Sequence, residues 1–177
     1  KFRVGEANIL LGTQMVAKGL DFENVTLVGV LDADQSLYLD HFRAQETTFS
    51  MLTQVVGRAG RGSAEGSALI QTMTPEHKVI RFAAEQDYDG FYEMEIAIRQ
   101  ARNMPPFADL AQITFAGPFE DQVLRGAVKL RDSLGHCLRE MGAEDWNLLG
   151  PAPCPVPKIN YNLRYRVVLR CKMDNQK

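Results

Sequence analysis

Residues 44–72 read AQETTFSMLTQVVGRAGRGSAEGSALIQT and contain, in order, the patterns of a helix, a glycine-rich turn and a strand. Apolar side chains recur at helical spacing in the first part: Phe49, Leu52, Val55, Val56 and Ala59. This periodicity predicts a helix over 44–59 with one buried face. Gly60 and Gly62 favour its end, and the apolar segment 67–72 predicts a strand.

Upstream of this stretch, two short apolar segments predict further strands. Residues 9–11 end at Gly12, and residues 25–30 are rich in β-branched side chains, which favour strands. A polar loop is predicted over 32–43. The order strand, loop, strand, helix, strand is typical of an α/β fold with a mostly parallel sheet. We therefore predict residues 1–74 to be part of an α/β lobe.

Downstream of the lobe, the sequence predicts two helices and then a stop. Pro75 can begin a helix with Thr74 as its cap, and a second helix is predicted after Asp87 to about Ala101. The sequence Asn103-Met104-Pro105-Pro106 ends that helix. We place a domain boundary here, with residues 75–107 as a helical linker.

The C-terminal part, residues 108–177, has the pattern of a smaller α+β domain. Strands are predicted over 110–115, 146–149 and 165–172, and a long amphipathic helix over 119–141. Four prolines in residues 150–157 predict an extended loop. The order β-α-β-β gives most of a ferredoxin-like plan without its last helix and strand. We therefore expect this domain to be incomplete.

Composition limits the classes of partner. The formal net charge is −2, so contact with nucleic acid requires a local basic patch rather than overall charge. No apolar run reaches the roughly 20 residues of a membrane span, and the start of the chain lacks a secretory signal pattern. The three cysteines form no CxxC pair, which excludes zinc-site spacing in this segment and fits a reducing cytoplasm.

A candidate polyanion site lies in QVVGRAGRG, residues 54–62. Gln54, Arg58 and Arg61 stand at steps of four and three, which places them on one helix face if the helical turn persists through Gly60. Guanidinium groups bind phosphate oxygens bidentately, and Gly57 leaves room for another surface. The alternative is a solvated basic cap at the helix C-terminus, where cations are also favoured.

Two further segments follow predicted strands, where open α/β sheets place their ligand sites. Thr13 and Gln14 can donate to a phosphate or sugar, Lys18 can neutralise a phosphate, and Asp21 can accept from a ribose hydroxyl. The alternative is an ordinary strand-to-helix connection. Paired acids in Leu31-Asp32-Ala33-Asp34 allow a metal site, or else loop capping or the positioning of an arginine.

In the C-terminal domain, Arg164-Tyr165-Arg166, with Tyr161, Lys158 and Arg170 nearby, is a basic-aromatic cluster and a candidate surface for single-stranded DNA. Aromatic rings stack on bases and arginines bind phosphates. Strand alternation predicts Arg164 and Arg166 on one face of the sheet and Tyr165 on the other. The alternative is a strand side that simply faces solvent.

These segments together carry a resemblance to a known family. TQMVAKGLDF resembles motif V of superfamily 2 helicases, and QVVGRAGRG resembles their motif VI. With HFRAQETTF and DYDGFYEMEIAIRQARNMPPF, the chain is similar over nearly its whole length to the PriA-type family of primosomal restart helicases. The resemblance implies that residues 1–74 are part of the second RecA-like lobe of a motor. It implies an ATP-dependent 3'-5' DNA helicase that restarts stalled forks and assembles the primosome.

The resemblance also implies roles for the candidate residues. Arg58 and Arg61 would reach the phosphates of ATP, and Gln54 would couple the nucleotide to DNA. Asp21 would contact the ribose or orient an arginine, with Gly19 and Gly57 also at the nucleotide. The residues implied for the DNA side are Thr13, Gln14, Lys18, Arg164, Tyr165 and Arg166.

The same resemblance implies cofactors and partners of the full-length protein. These are ATP with Mg²⁺, and zinc in a cysteine-rich module that these residues do not contain. The chain holds neither a GxxxxGK[ST] phosphate loop nor a DExx box, so we expect no ATPase activity from it alone. Implied partners are forked and single-stranded DNA, the acidic tail of a single-strand DNA-binding protein and other primosome proteins. A non-catalytic nucleic-acid-binding module and a lobe of an RNA helicase remain open as alternatives.

Overall fold

The computed structural model describes residues 1–13, 25–57, 59, 66–143 and 145–172. The chain divides into two compact units, Lys1–Glu95 and Ile96–Lys177, and each is described by itself. This division falls inside a helix, so the boundary near residues 103–106 stays a prediction.

The first unit combines a parallel pair of strands with helices. After a 3-10 turn at Phe2–Val4, its elements are β1 (Leu27–Val30), α1 (Asp34–Leu37), α2 (Ala44–Val56), β2 (Ser67–Ile70), α3 (Lys78–Glu85) and the start of α4 (Tyr88–Ala101). β1 pairs with β2 in parallel, from Leu27 opposite Ser67 to Val30 opposite Ile70. The α/β class with a parallel sheet is confirmed, and α1 occupies part of the segment predicted as loop.

The strand predicted over residues 9–11 is wrong. Ile9 and Leu11 are 78% and 83% exposed, and the segment has no strand partner in the described part of the chain. A strand is defined by the pairing of its main-chain groups, and three apolar residues do not supply a partner.

Helix α2 is the central packing element of the first unit. Leu52 and Thr48 are fully buried, and the ring of Phe49 stacks on that of Phe91 with 4.0 Å between centroids. The predicted length was wrong at the C-terminal end, because α2 ends at Val56 rather than at Ala59. Glycine is a poor helix former, and Gly57 is the residue that caps the helix.

The start of the next helix also differs from the prediction. α3 begins at Lys78, and the Nδ1 atom of His77 accepts a hydrogen bond from the Val79 main-chain N–H at 3.3 Å. Thr74 is not the cap, because its hydroxyl donates to Asp34 instead. α4 runs from Tyr88 to Ala101, as predicted.

The second unit is a three-stranded antiparallel sheet with one long helix. Its elements are β3 (Ala108–Gly117), α5 (Glu120–Glu140), β4 (Trp146–Ile159) and β5 (Asn162–Lys172). The strand order is β3-β5-β4, so β5 is central. Val123 and Ala127 of α5 are buried, as is Val167 of β5. The predicted β-α-β-β order is confirmed.

The proline-rich segment 150–157 is not a loop, contrary to the prediction. It continues β4, which pairs with β5 alone in the described sheet and carries register shifts between Leu149 and Ala152 and between Pro153 and Lys158. Proline is tolerated on edge strands and at bulges, because no ladder hydrogen bond is lost there. None of the described helices is long and apolar enough to cross a membrane.

Candidate functional site

The structure describes only part of the predicted nucleotide site. Gln54 lies exposed near the end of α2, where its Nε2 donates to Ser50 Oγ at 3.1 Å, and Thr13 lies exposed outside any regular element. Six other predicted residues lie outside the described residues: Gln14, Lys18, Gly19, Asp21, Arg58 and Arg61. The convergence of Arg58 and Arg61 with Gln54 therefore stays a prediction, as do the roles of the other four residues.

The end of α2 is fastened to the end of α3. Gln86, which caps α3 with a φ of 58°, donates from Nε2 to the main-chain oxygen of Thr53 at 3.1 Å. A Cβ on Gly57 would lie 3.2 Å from that same oxygen and 3.6 Å from Gln86 Nε2. The glycine predicted to admit another surface thus lies against atoms of this chain. The result is a fixed helix end, one residue before Arg58.

Asp34 caps the loop that follows β2. Its carboxylate accepts hydrogen bonds from Thr72 Oγ1 at 2.9 Å, Thr74 Oγ1 at 2.6 Å and the Met73 N–H at 2.7 Å. The Thr74 hydroxyl, and then the Met73 amide, hold the pKa of Asp34 below its usual value of 3.8. Of the interpretations of this acidic pair, the geometry supports loop capping. No group of three His, Cys, Asp or Glu side chains that could hold a metal ion occurs among the described residues.

A second candidate surface is the hairpin formed by β4 and β5, residues 146–172, which we call the basic hairpin. It contains no Asp or Glu and five cationic residues: Lys158, Arg164, Arg166, Arg170 and Lys172. The whole chain has a formal net charge of −2, so positive charge is concentrated here. The sequence already grouped most of these cations in one cluster, and the structure adds that they belong to a single hairpin.

β5 presents different residues on its two faces. The Tyr165 hydroxyl donates to Glu120 Oε1 of α5 at 2.5 Å, and Val167 is fully buried, so both lie on the face that α5 covers. The hydrogen bond to Glu120 raises the pKa of Tyr165 above its usual value of 10.0. Alternation places Arg164 and Arg166 on the opposite, open face. The structure therefore separates Tyr165 from the two arginines with which it was grouped.

Arg164 and Arg170 of the open face donate to main-chain carbonyl groups. Arg164 Nη1 donates to the main-chain oxygen of Val156 at 3.3 Å, and Arg170 Nη1 to that of Arg102 at 2.9 Å. Neither has a carboxylate partner within the part of the chain that the structure describes. Arg166 Nη1 donates to Gln112 Oε1 at 3.5 Å.

The spacing and the spare donors of these side chains suit a phosphate backbone. Alternate residues of a strand lie about 7 Å apart, which sets the separation of Arg164 and Arg166. A guanidinium carries five N–H donors, so a single hydrogen bond to a carbonyl leaves most of them for another acceptor. The open face can therefore bind a chain of anionic groups.

Comparisons with known proteins identify the families that the two parts of the chain match. Residues 1–63 match the Helicase conserved C-terminal domain, and residues 100–177 match the Primosomal protein N C-terminal domain. The Replication restart protein PriA of Bacillus subtilis is 44% identical over 175 residues, covering 99% of this chain and 21% of that protein. The chain belongs to the PriA family. The Replication restart protein PriA of Chlamydia pneumoniae is 39% identical over 171 residues, covering 96% of this chain and 22% of the relative.

A third PriA relative, from a Synechocystis species, is 37% identical over 170 residues, covering 96% of this chain and 20% of the relative. The chain thus spans about a fifth of the length of the curated PriA relatives that it matches. The two family matches divide it into a helicase part and a primosomal part, which correspond in order to the α/β unit and the antiparallel unit.

Proposed function

We propose that the chain is part of an ATP-dependent DNA helicase that restarts stalled replication forks and assembles the primosome. The observation that carries the proposal is the order of two different domains in one chain. A segment that matches a helicase C-terminal domain is followed by a domain whose open sheet face presents three arginines. The first part supplies groups to a nucleotide site, and the second binds DNA.

The roles proposed at the nucleotide belong mainly to residues at the end of α2 and just after it. Gln54 is exposed there, and Arg58 follows the helix end that Gln86 holds in place. Arg58 and Arg61 would stabilise negative charge that develops on the phosphates, and Asp21, Gly19 and Gly57 would line the nucleotide. ATP supplies the phosphoryl group that is transferred. One amide and two guanidinium groups brought together would suit a polyanion.

The metal ions of the proposed enzyme require residues other than those described. No cluster of possible ligands occurs among the described side chains, so Mg²⁺ and zinc would be held by other residues of the full-length protein. The sequence has no phosphate-loop motif, and we propose that the chain alone has no ATPase activity. An ATPase in the isolated chain that Arg61→Ala abolishes would contradict this.

The basic hairpin is the proposed DNA surface of the C-terminal domain. Thr13, Gln14 and Lys18 would contribute a second DNA contact from the helicase part. The proposed partners are forked and single-stranded DNA, the acidic tail of a single-strand DNA-binding protein, and other primosome proteins. An acidic peptide and a phosphate backbone would both be attracted by the same arginines. Cys137 and Cys154 are free thiols, which fits a reducing cytoplasm.

A second candidate function is a non-catalytic single-strand-binding module. The basic hairpin favours it, because that surface requires no nucleotide to bind DNA. In this case Arg58 and Arg61 would only grip phosphates of the nucleic acid.

The two functions differ in what the helix-end arginines do in the full-length protein. The helicase proposal predicts that Arg58→Ala or Arg61→Ala lowers the kcat of DNA-stimulated ATPase by about 10³-fold, while affinity for single-stranded DNA persists. Arg43→Ala is the matched control, because Arg43 precedes the same helix and is solvent-exposed beside Glu46. Unchanged ATPase with weaker, less salt-dependent DNA binding would instead support the binding module.

A further inference from the structure

The tip of the basic hairpin has an unusual turn. Ile159 pairs with Asn162, which leaves Asn160 and Tyr161 as a two-residue connection between β4 and β5. Their φ angles are 47° and 66°, so both adopt the left-handed conformation of a type I′ turn. Asparagine tolerates this conformation, but the second position favours glycine, and a bulky side chain there is strained.

Stability does not explain the tyrosine at this position. Tyr161 is 86% exposed, so its ring contributes nothing to the core of the unit. Glycine would fit the backbone better, because it has no Cβ to clash in the left-handed region. Unfavourable conformations that persist without a packing reason tend to occur where they serve function.

The charges around the ring indicate what would bind there. Lys158 Nζ lies 5.8 Å from the centroid of the Tyr161 ring. Arg164, three residues along β5, begins the row of arginines on the open face, and the hairpin contains no acidic residue. A ligand that binds both an exposed aromatic ring and nearby cations carries flat rings and negative charge. Single-stranded nucleic acid has both, because bases stack on aromatic side chains while phosphates bind cations.

We propose that Tyr161 is a base-stacking residue at the hairpin tip for single-stranded DNA. Its ring takes one base, and Arg164 binds a neighbouring phosphate on the open face. Lys158, which pairs with Leu163 and so lies on the other face of the hairpin, adds positive charge beside the ring. The strand then continues along the open face of β5 toward Arg166 and Arg170. This proposal rests on the proposed DNA-binding function of the basic hairpin, and adds a contact with the bases to the contacts with phosphates.

The test compares variants of the 177-residue chain for binding to a labelled oligothymidylate by fluorescence anisotropy, with thermal unfolding measured in parallel. Tyr161→Gly should weaken binding by about 5-fold to 100-fold, the range for loss of one stacking contact. The same variant should unfold at a higher temperature, because the turn is relieved of strain. Tyr161→Phe should bind within about 2-fold of the parent, since the aromatic face remains.

An abasic oligonucleotide of the same length separates stacking from charge. The parent and Tyr161→Gly should bind it equally, because it offers phosphates but no bases. If the parent and Tyr161→Gly bind oligothymidylate equally, the stacking role is refuted. This also holds if Tyr161→Gly loses affinity only for an acidic peptide.

Arg164→Ala distinguishes the failure of this proposal from the failure of the function on which it rests. If Arg164→Ala weakens binding of oligothymidylate and Tyr161→Gly does not, DNA binding by the hairpin stands and the stacking role is refuted. If neither change alters the affinity, DNA binding by the hairpin is itself refuted.

Discussion

Removing the two arginines that flank Tyr165 should change how DNA binding depends on salt. Arg164 and Arg166 lie on the open face of β5, and each would neutralise one phosphate in the proposed complex. For a single strand, each phosphate contact contributes about 0.7 to the slope of log affinity against log salt concentration. Arg164→Ala with Arg166→Ala should therefore make the slope shallower by about 1.4.

This slope has a direct consequence for measured affinities. Between 50 and 200 mM salt, the parent chain should lose about sevenfold more affinity than the double variant does. Titration of a labelled oligothymidylate at several salt concentrations measures the difference. The matched control is Arg125→Ala with Lys129→Ala, which removes the same charge from exposed positions of α5. Equal slopes in the parent and the β5 variant, or an equal change in the α5 control, would refute the reasoning.

Three further predictions concern stability. Leu52→Ala should lower the free energy of unfolding by about 2–5 kcal/mol, because Leu52 is fully buried in α2. Denaturant titration measures this loss, and a loss below about 1 kcal/mol would contradict the packing described. The pKa of Asp34 is lowered in the folded state, so its stabilising effect should be complete above pH 3.8 and lost as the pH falls through the lower folded value. Asp34→Asn should therefore make the melting temperature depend less on acid pH. An unchanged dependence would count against the loop cap. The pKa of Tyr165 is raised in the folded state, so its stabilising effect should be present below pH 10.0 and lost as the pH rises through the higher folded value. The fall in melting temperature at alkaline pH should therefore be smaller in Tyr165→Phe than in the parent. Equal falls would exclude the hydrogen bond to Glu120.

Periodicity in the sequence was sufficient to predict the main elements. The apolar spacing that begins at Phe49 predicted the buried face of α2, and alternation along β5 predicted that Arg164 and Tyr165 would face opposite ways. These patterns are physical consequences of the helical repeat and the pleat, so they can be read without a structure. The parallel pairing of β1 and β2 followed from the element order.

Element ends and irregular strands were harder to predict. The helix ends at Val56, because Gly57 caps it and glycine is a poor helix former despite the continuing apolar pattern. β4 runs through four prolines because it has a single neighbour in the described sheet, a tertiary fact that composition does not reveal. Thr74 had the right chemistry for a cap, but its hydroxyl is used by Asp34, 40 residues away in sequence.

The candidate site was predicted only in part. The arginines of β5 and Lys158 were grouped from their local pattern in the sequence, whereas their place in one hairpin became apparent only from the pairing of β4 with β5. Tyr161 gave no turn signal, since the left-handed conformation of a tyrosine cannot be inferred from residue type. The prediction that Arg58 and Arg61 bind the nucleotide phosphates rests on the motif in residues 54–62. Both arginines lie outside the described residues.

The most direct test of DNA binding by the basic hairpin is to map the surface by NMR, following amide chemical shifts of the 177-residue chain as oligothymidylate is added. The largest changes should fall on Tyr161, Arg164 and Arg166 and on the neighbouring residues of β3 and β4. Changes confined to α5, or to the first unit with none on β5, would contradict the account.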